Sequence, residues 1–202
     1  MITHTVTDNS TINRRIATMT ISLDDCLKQA VNASAEHSRQ VIDSTGNDGQ
    51  IRLIISDADQ SDMFRVMYKA LMDAIILFKA YTTDMPSTVE TFYVNGNTAR
   101  ISFLLPIRLK HIPTYGVDPL ELPEQSFNES LLFQIDNAMD DYVVNSILTA
   151  WYKLKSIPDL YNLYLLSVQN NRDSIKNLLN ERTKPAHYIA ATYKHTSIGY
   201  IR

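Results

Sequence analysis

The sequence predicts a mainly α protein with a small β component: a bundle of about four helices, one β-hairpin, and extended N- and C-terminal arms. Three observations carry that expectation. Long segments repeat apolar residues at steps of three and four, Asn95-Gly96 separates two β-rich runs, and residues 106–123 concentrate four of the seven prolines. At 202 residues the chain fits one domain, which at this size buries about 70% of the surface its unfolded form exposes.

Residues 1–15, MITHTVTDNSTINRR, are rich in Thr and Asn and hold little large apolar material beyond Ile2, Val6 and Ile12. They read as an N-terminal arm, with the domain proper over 16–181. Its first element is a short strand in RIATMTI, through Ile16, Thr18, Met19, Thr20 and Ile21. Ser22 then suits a helix N-cap, since its hydroxyl can accept from a first-turn backbone N–H, and Asp24 and Asp25 complement the positive end of the helix dipole. Leu23, Leu27, Ala30, Val31 and Ser34 give this helix its stripe, and it is expected to end near Val41 or Ile42, before DSTGNDG.

Ser56, in IISDADQSD, is expected to cap the next helix, with Leu53 stapling its entry. Met63, Val66, Met67, Ala70, Leu71, Ala74, Leu77, Phe78 and Tyr81 form its core-facing stripe. The run TFYVNGNTARISFLLP predicts a hairpin over 89–105, with Asn95-Gly96 as the pair favoured in a type I′ turn, whose two central residues need positive φ. Residues 106–123, PIRLKHIPTYGVDPLELP, can be neither a regular helix nor a central strand. They keep Ile107, Leu109, Ile112, Tyr115, Val117 and Leu120, more apolar material than a solvated linker holds, and are expected to lie extended on a neighbouring subunit or partner.

A long helix is expected from Glu124 or Ser126 to Leu154, with Phe127, Leu131, Ile135, Ala138, Tyr142, Ile147 and Trp151 near one face. Pro158 starts a last helix that runs to about Leu179, because the first helical position has no N–H bond for proline to lose. Two long helices joined by a short break form an antiparallel hairpin. Trp151, the single tryptophan, is expected in the core, where its burial is worth roughly 4 to 6 kcal/mol at about 25 cal/mol per Å². The tail 182–202 has no acid but carries Arg182, Lys184, Lys194 and Arg202 with Tyr188, Tyr193 and Tyr200, and is expected to be either disordered or ordered by a partner.

Composition excludes several classes. A net charge of -3 from 19 basic and 22 acidic residues, well mixed, argues against a generally basic nucleic-acid binder. Cys26 is alone, so no intramolecular disulfide forms, and it is expected as a small buried hydrophobe. The N-terminus lacks the apolar run of a secretory signal, and no segment approaches the roughly 20 apolar residues of a membrane span, so the chain is expected to be soluble and unexported.

Catalytic and metal chemistry finds little footing. Asp57, Asp59 and Asp62 lack the glycine and distal glutamate of a calcium loop and are expected as helix N-terminal charges. Asp140 and Asp141 are neighbours, about 100° apart on a helix, and are expected on a solvated or subunit-facing edge. His4, His37, His111, His187 and His195 are scattered, and no phosphate-binding glycine loop or nucleophile elbow occurs, so no cofactor, metal or catalytic residue is expected.

In order, the LDD start of the first helix, the SDADQ entry to the second, the strand pair, DDYVVNSILTAW, PDLYNLYL and LLNERTKP resemble a family of small helical proteins of short-tailed phages, including crAss-like phages, that infect Bacteroidetes. The resemblance covers roughly residues 20–187. Its most specific positions are Tyr142, Val143, Leu148 and Trp151, then Arg182, Lys184 and Pro185. It implies a head-to-tail connector or adaptor: a homo-oligomeric, dodecameric ring in the virion, bound to the portal and to other tail or ring proteins, touching packaged DNA at most non-specifically and no membrane. The long proline-rich loop, the N-terminal arm and the Tyr-rich tail depart from the family's plain outline, and arms and loops are how ring subunits clasp neighbours. Ile107, Leu109, Ile112, Tyr115, Leu120, Arg182, Lys184, Tyr188, Tyr193 and Tyr200 are the candidate partner-binding residues, with Tyr142 and Trp151 as the core signature. The competing expectation is a small DNA-binding or regulatory helical protein that uses the basic tail.

Overall fold

The computed structural model describes residues 2–9, 14–45, 53–105 and 130–180. Four long helices and a four-stranded antiparallel sheet make the fold mainly α with a small β component, as expected. In chain order the elements are β1 (Ile2–Asn9), β2 (Arg14–Ser22), α1 (Leu23–Thr45), α2 (Gln60–Thr82), β3 (Phe92–Asn95), β4 (Thr98–Leu104), α3 (Ser130–Leu154) and α4 (Pro158–Asn180). A single 3₁₀ turn, Asp57–Asp59, leads into α2.

The sheet order is β1-β2-β4-β3, with every neighbour antiparallel. The expected hairpin is therefore one half of a larger sheet. The N-terminal segment expected as an arm is extended, but Ile2–Asn9 is paired along its whole length with β2, from Ile2 opposite Ile21 to Asn9 opposite Arg14. Register sorts the side chains onto two faces. Ile2, His4 and Val6 align with Ile21, Met19 and Ala17, then with Ala99, Ile101 and Phe103, and Phe92 and Val94 close the row; this face lies on the helices. On the opposite face hydroxyls line one part, Thr3 across from Thr20 and Thr5 across from Thr18, with Thr18 Oγ1 3.1 Å from Ser102 Oγ, and Ile16 across from Leu104 adds a buried apolar pair.

The β3–β4 turn is displaced by one residue from the sequence expectation. Asn95 pairs with Thr98, so Gly96-Asn97 are the central residues, and only Gly96 has positive φ, at 56°. That is the type II′ pattern, in which glycine takes the first central position. The tip is then fastened to the start of α1: the Asn97 carbonyl accepts from Leu23 N–H at 2.9 Å, and Asn97 Nδ2 donates to Asp24 Oδ2 at 2.7 Å. Asp25 N–H donates to Ser22 Oγ at 3.3 Å, the expected cap.

α3 is the central helix. Its buried residues include Leu132, Ile135, Met139, Val143, Ile147, Leu148, Trp151 and Tyr152, which face more than one direction, so α3 is covered on several sides. α4 packs along it in the expected antiparallel hairpin. The break between them is a Schellman cap: Ile157 N–H donates to the Tyr152 carbonyl at 3.0 Å, Ser156 N–H to Lys153 at 3.2 Å, and Ser156 takes φ 57°. Pro158 is the first residue of α4, as its sequence predicts. Contacts pairing Cys26 with Asp140 and His37 with Tyr152 show that α1 and α3 run in the same direction. Tyr81 at the end of α2 donates to the Leu179 carbonyl at 3.1 Å, so α2 runs with α4.

Ser56 caps the entry to α2 through the 3₁₀ turn: Ser56 N–H donates to Asp59 Oδ2 at 3.0 Å, and the hydroxyl–carboxylate contact holds Asp59 below the usual carboxylate range. The segment before it is pinned from two sides. Ile55 N–H donates to the buried Ser34 hydroxyl at 3.1 Å, and the indole N–H of Trp151 donates to the Leu53 carbonyl at 2.6 Å. Ile55, rather than Leu53, supplies the buried side chain there. α1 continues to Thr45, past the expected end near Val41 or Ile42.

Candidate assembly surfaces

The polar residues that carry chemistry are engaged inside the fold. His4 Nδ1 lies 2.5 Å from Asp136 Oδ2, tying edge strand β1 to α3. Asp136 is 5% exposed and its Oδ1 has no hydrogen-bond partner; burial pushes its carboxyl above the usual range, and the His4 contact pulls the other way. The pair is a buried latch. Among the described residues no group of three or more His, Cys, Asp or Glu side chains could hold a metal ion.

Cys26 is fully buried and donates to Asp140 Oδ1 at 3.5 Å, while Gln29 Nε2 donates to Oδ2 at 2.9 Å. Burial, with Asp140 beside it, pushes the thiol up to about 12, which leaves it protonated and unreactive. Asp140 is half-buried and bridges to α1 through these bonds, and Asp141 is exposed. At the far end, His37 Nδ1 is 3.0 Å from the Tyr152 hydroxyl and 3.3 Å from that of Tyr164, and the two tyrosine rings stack at 5.6 Å. Burial first, then the neighbouring groups, raises both phenols, so neither is poised as a base at neutral pH. Trp151 is fully buried under the Lys155 ammonium, 4.2 Å from the ring centroid.

Among the exposed residues, the apolar ones and the strand edges stand out. The outer edges of β1 and β3 have no strand partner among the described residues. Strand β1 is long and its unbroken register contains no bulge; of the devices that block edge pairing it carries neither Lys nor Pro, but it does carry the exposed charge of Asp8 near its end. Beside β3, the solvent side of α2 carries Tyr68, Met72 and Ile76, spaced four apart and 48%, 46% and 60% exposed. Tyr68 meets Phe92 of β3 edge-on at 6.2 Å, so strand and row are contiguous. Near β1, Phe133 is 63% exposed, one turn before Asp136 on α3. Leu163 and Leu166 make a smaller exposed pair on α4. Two open grooves occur among the described residues: one lined by Asp24, Leu27, Lys28, Val31, Asn32 and Gln60, the other lying between α3 and α4 and lined by Asp141, Asn171 and Ser174 among others.

Of the residues singled out from the sequence, Tyr142 and Trp151 are in the core, as expected. Ile107, Leu109, Ile112, Tyr115 and Leu120 in the proline-rich segment, and Arg182, Lys184, Tyr188, Tyr193 and Tyr200 in the tail, lie outside the described residues. The latch, the β1 edge and the α2 row were not foreseen. The exposed row was hidden because Tyr68, Met72 and Ile76 sit beside a buried stripe rich in the same residue types. No helix among the described residues is long and apolar enough to cross a membrane. Comparison with protein-family models, curated proteins and solved structures finds no match.

Proposed function

We propose that the chain is a structural subunit of a phage virion, a ring-forming head-to-tail connector or adaptor that links portal to tail without catalysis. One observation carries most of this reading: two chemically different strand edges, neither with a strand partner among the described residues, lie at opposite ends of one sheet. A closed ring needs a heterologous interface, in which one surface of the subunit meets a different surface of the next. The apolar row beside β3 and Phe133 near β1 give each edge its own flank. The internal engagement of His4, Cys26, His37, Asp136 and Asp140 supports a scaffold over an enzyme, since among the described residues these titratable groups are tied to one another or to neighbouring side chains.

In this role the α3–α4 hairpin, closed by the Schellman cap and tied by Trp151 to the segment before α2, gives a rigid wall, while strand edges and exposed rows join copies. The segments 106–123 and 182–202 would meet portal and tail components in the virion. The purified chain, alone and with portal, is to be examined by negative-stain microscopy and sedimentation. Rings, alone or on the portal, support the proposal. A chain that stays monomeric at every concentration and binds neither portal nor tail components refutes it. Steeply salt-dependent DNA binding that is lost on deleting residues 182–202 would favour the regulatory alternative instead.

A further inference from the structure

We infer that copies of this chain join head to tail by strand addition, β3 of one copy pairing antiparallel with β1 of the next, while the Tyr68–Met72–Ile76 row of the first packs near Phe133 of the second. The inference deepens the ring reading and rests on it only for closure. Strand polarity makes the argument. In the order β1-β2-β4-β3 directions alternate, so β1 and β4 run one way and β2 and β3 the other. A second copy placed beyond β3 in the same orientation presents its β1 antiparallel to β3. The sheet continues without reversal, and the helices of both copies stay on one face.

Side-chain alternation then fits. Val6, His4 and Ile2 of β1 and Phe92 and Val94 of β3 all lie on the helix-facing side, whereas Thr3, Thr5, Thr7, Tyr93 and Asn95 lie on the hydroxyl side. A register that keeps like faces together and sets both Phe92 and Tyr93 against β1 places Tyr93 opposite Thr3, Thr5 or Thr7. The helical layer matches too. α2 flanks β3 through Tyr68 and Phe92, and α3 flanks β1 through Asp136 and His4, so the junction sets one exposed apolar group against another.

The area bears on what kind of assembly results. With roughly 200 Å² for a large side chain, exposures of 48%, 46% and 60% leave about 300 Å² on the α2 row. Together with Tyr93 and a four-residue strand edge, this falls short of the roughly 800 Å² per partner of a standard stable interface. A single junction is therefore weak. Closure of many junctions, each raising the effective concentration for the next, is what makes the assembly persist. A two-fold pairing of β1 with β1 would leave both β3 edges and both α2 rows uncovered, whereas head-to-tail repetition covers each once.

The test is cysteine crosslinking in the full chain, where the buried Cys26 contributes no background. Thr3→Cys, Thr5→Cys and Thr7→Cys are each combined with Tyr93→Cys, and all four single variants serve as controls, under mild oxidation at rising protein concentration. We expect one double variant to give a covalent ladder beyond dimer, with every single variant left uncrosslinked. A dimer from a β1 single variant, with no ladder from any double, overturns the inference in favour of two-fold pairing. No crosslink in any double overturns it outright, even if microscopy shows rings, in which case the ring reading survives on another surface. A ladder from open filaments upholds the junction while counting against the closed ring.

Discussion

Replacing Trp151 by Phe tests how much of the bundle depends on one side chain. The indole is fully buried, and its N–H reaches the Leu53 carbonyl at 2.6 Å, across 98 residues of sequence. Phe keeps the aromatic body but forfeits about 50 Å² of buried surface, worth about 1.2 kcal/mol at 25 cal/mol per Å². The space left unfilled costs about 1 kcal/mol more, and the carbonyl that loses its donor about another 1 kcal/mol. The sum is about 3 kcal/mol, a fall in Tm of about 6 to 12 °C for a domain of this size. Urea denaturation followed by far-UV circular dichroism measures it, because the variant has no tryptophan to report fluorescence. Amide exchange adds a local readout: Ile55 and the first turn of α2 should lose protection before the rest of α2, since Trp151 and Ser34 hold that segment from opposite sides. A loss under 1 kcal/mol, or exchange that rises evenly along α2, would refute the reasoning.

Asp136→Asn should flatten the dependence of stability on pH. The folded carboxyl sits above its ordinary value, so between that value, about 3.9, and the raised one the folded chain holds a proton that the unfolded chain has released. Stability therefore falls as pH rises through that window, and the cost persists at neutral pH. The amide removes it while still reaching His4, so denaturation from pH 4 to 7 should show a smaller slope and a gain on the order of 1 kcal/mol at pH 7; an unchanged slope rules this out. Ser156→Gly should stabilise by about 1 kcal/mol, because Ser156 holds the left-handed cap position that glycine takes without steric cost; thermal melts check the sign. Ile76→Asp, at a position 60% exposed, should change monomer stability by no more than about 0.5 kcal/mol yet weaken self-association, read by sedimentation across concentration.

The parts of the fold that the sequence reveals are those governed by local periodicity. The stripes through Met63 to Tyr81, and through Leu131 to Trp151, need only their own spacing to read as helices, and the Schellman break before Pro158 is announced by the proline. The Asn-Gly pair locates the hairpin but not its centre, because type I′ and type II′ turns both accept glycine and only the register of Asn95 with Thr98 decides between them. Strand β1 escapes notice for a different reason. ITHTVTDN alternates, but its inward set is Ile2, His4 and Val6, too little apolar material to distinguish an edge strand from a solvated arm. His4 joins the core side only because Asp136 waits 132 residues later, and no pattern within a helix or strand encodes such a partner. The candidate assembly surface is hidden in the same way: Tyr68, Met72 and Ile76 look like core until the register of α2 shows which residues are already covered.

Microscopy of the purified chain with and without its portal, beside sedimentation over a wide concentration range, addresses the account at its root. The account predicts closed rings of a single diameter, cooperative in concentration or seeded by the portal, and lost in Ile76→Asp while that variant stays folded. A folded monomer at all concentrations that ignores portal and tail components would contradict it.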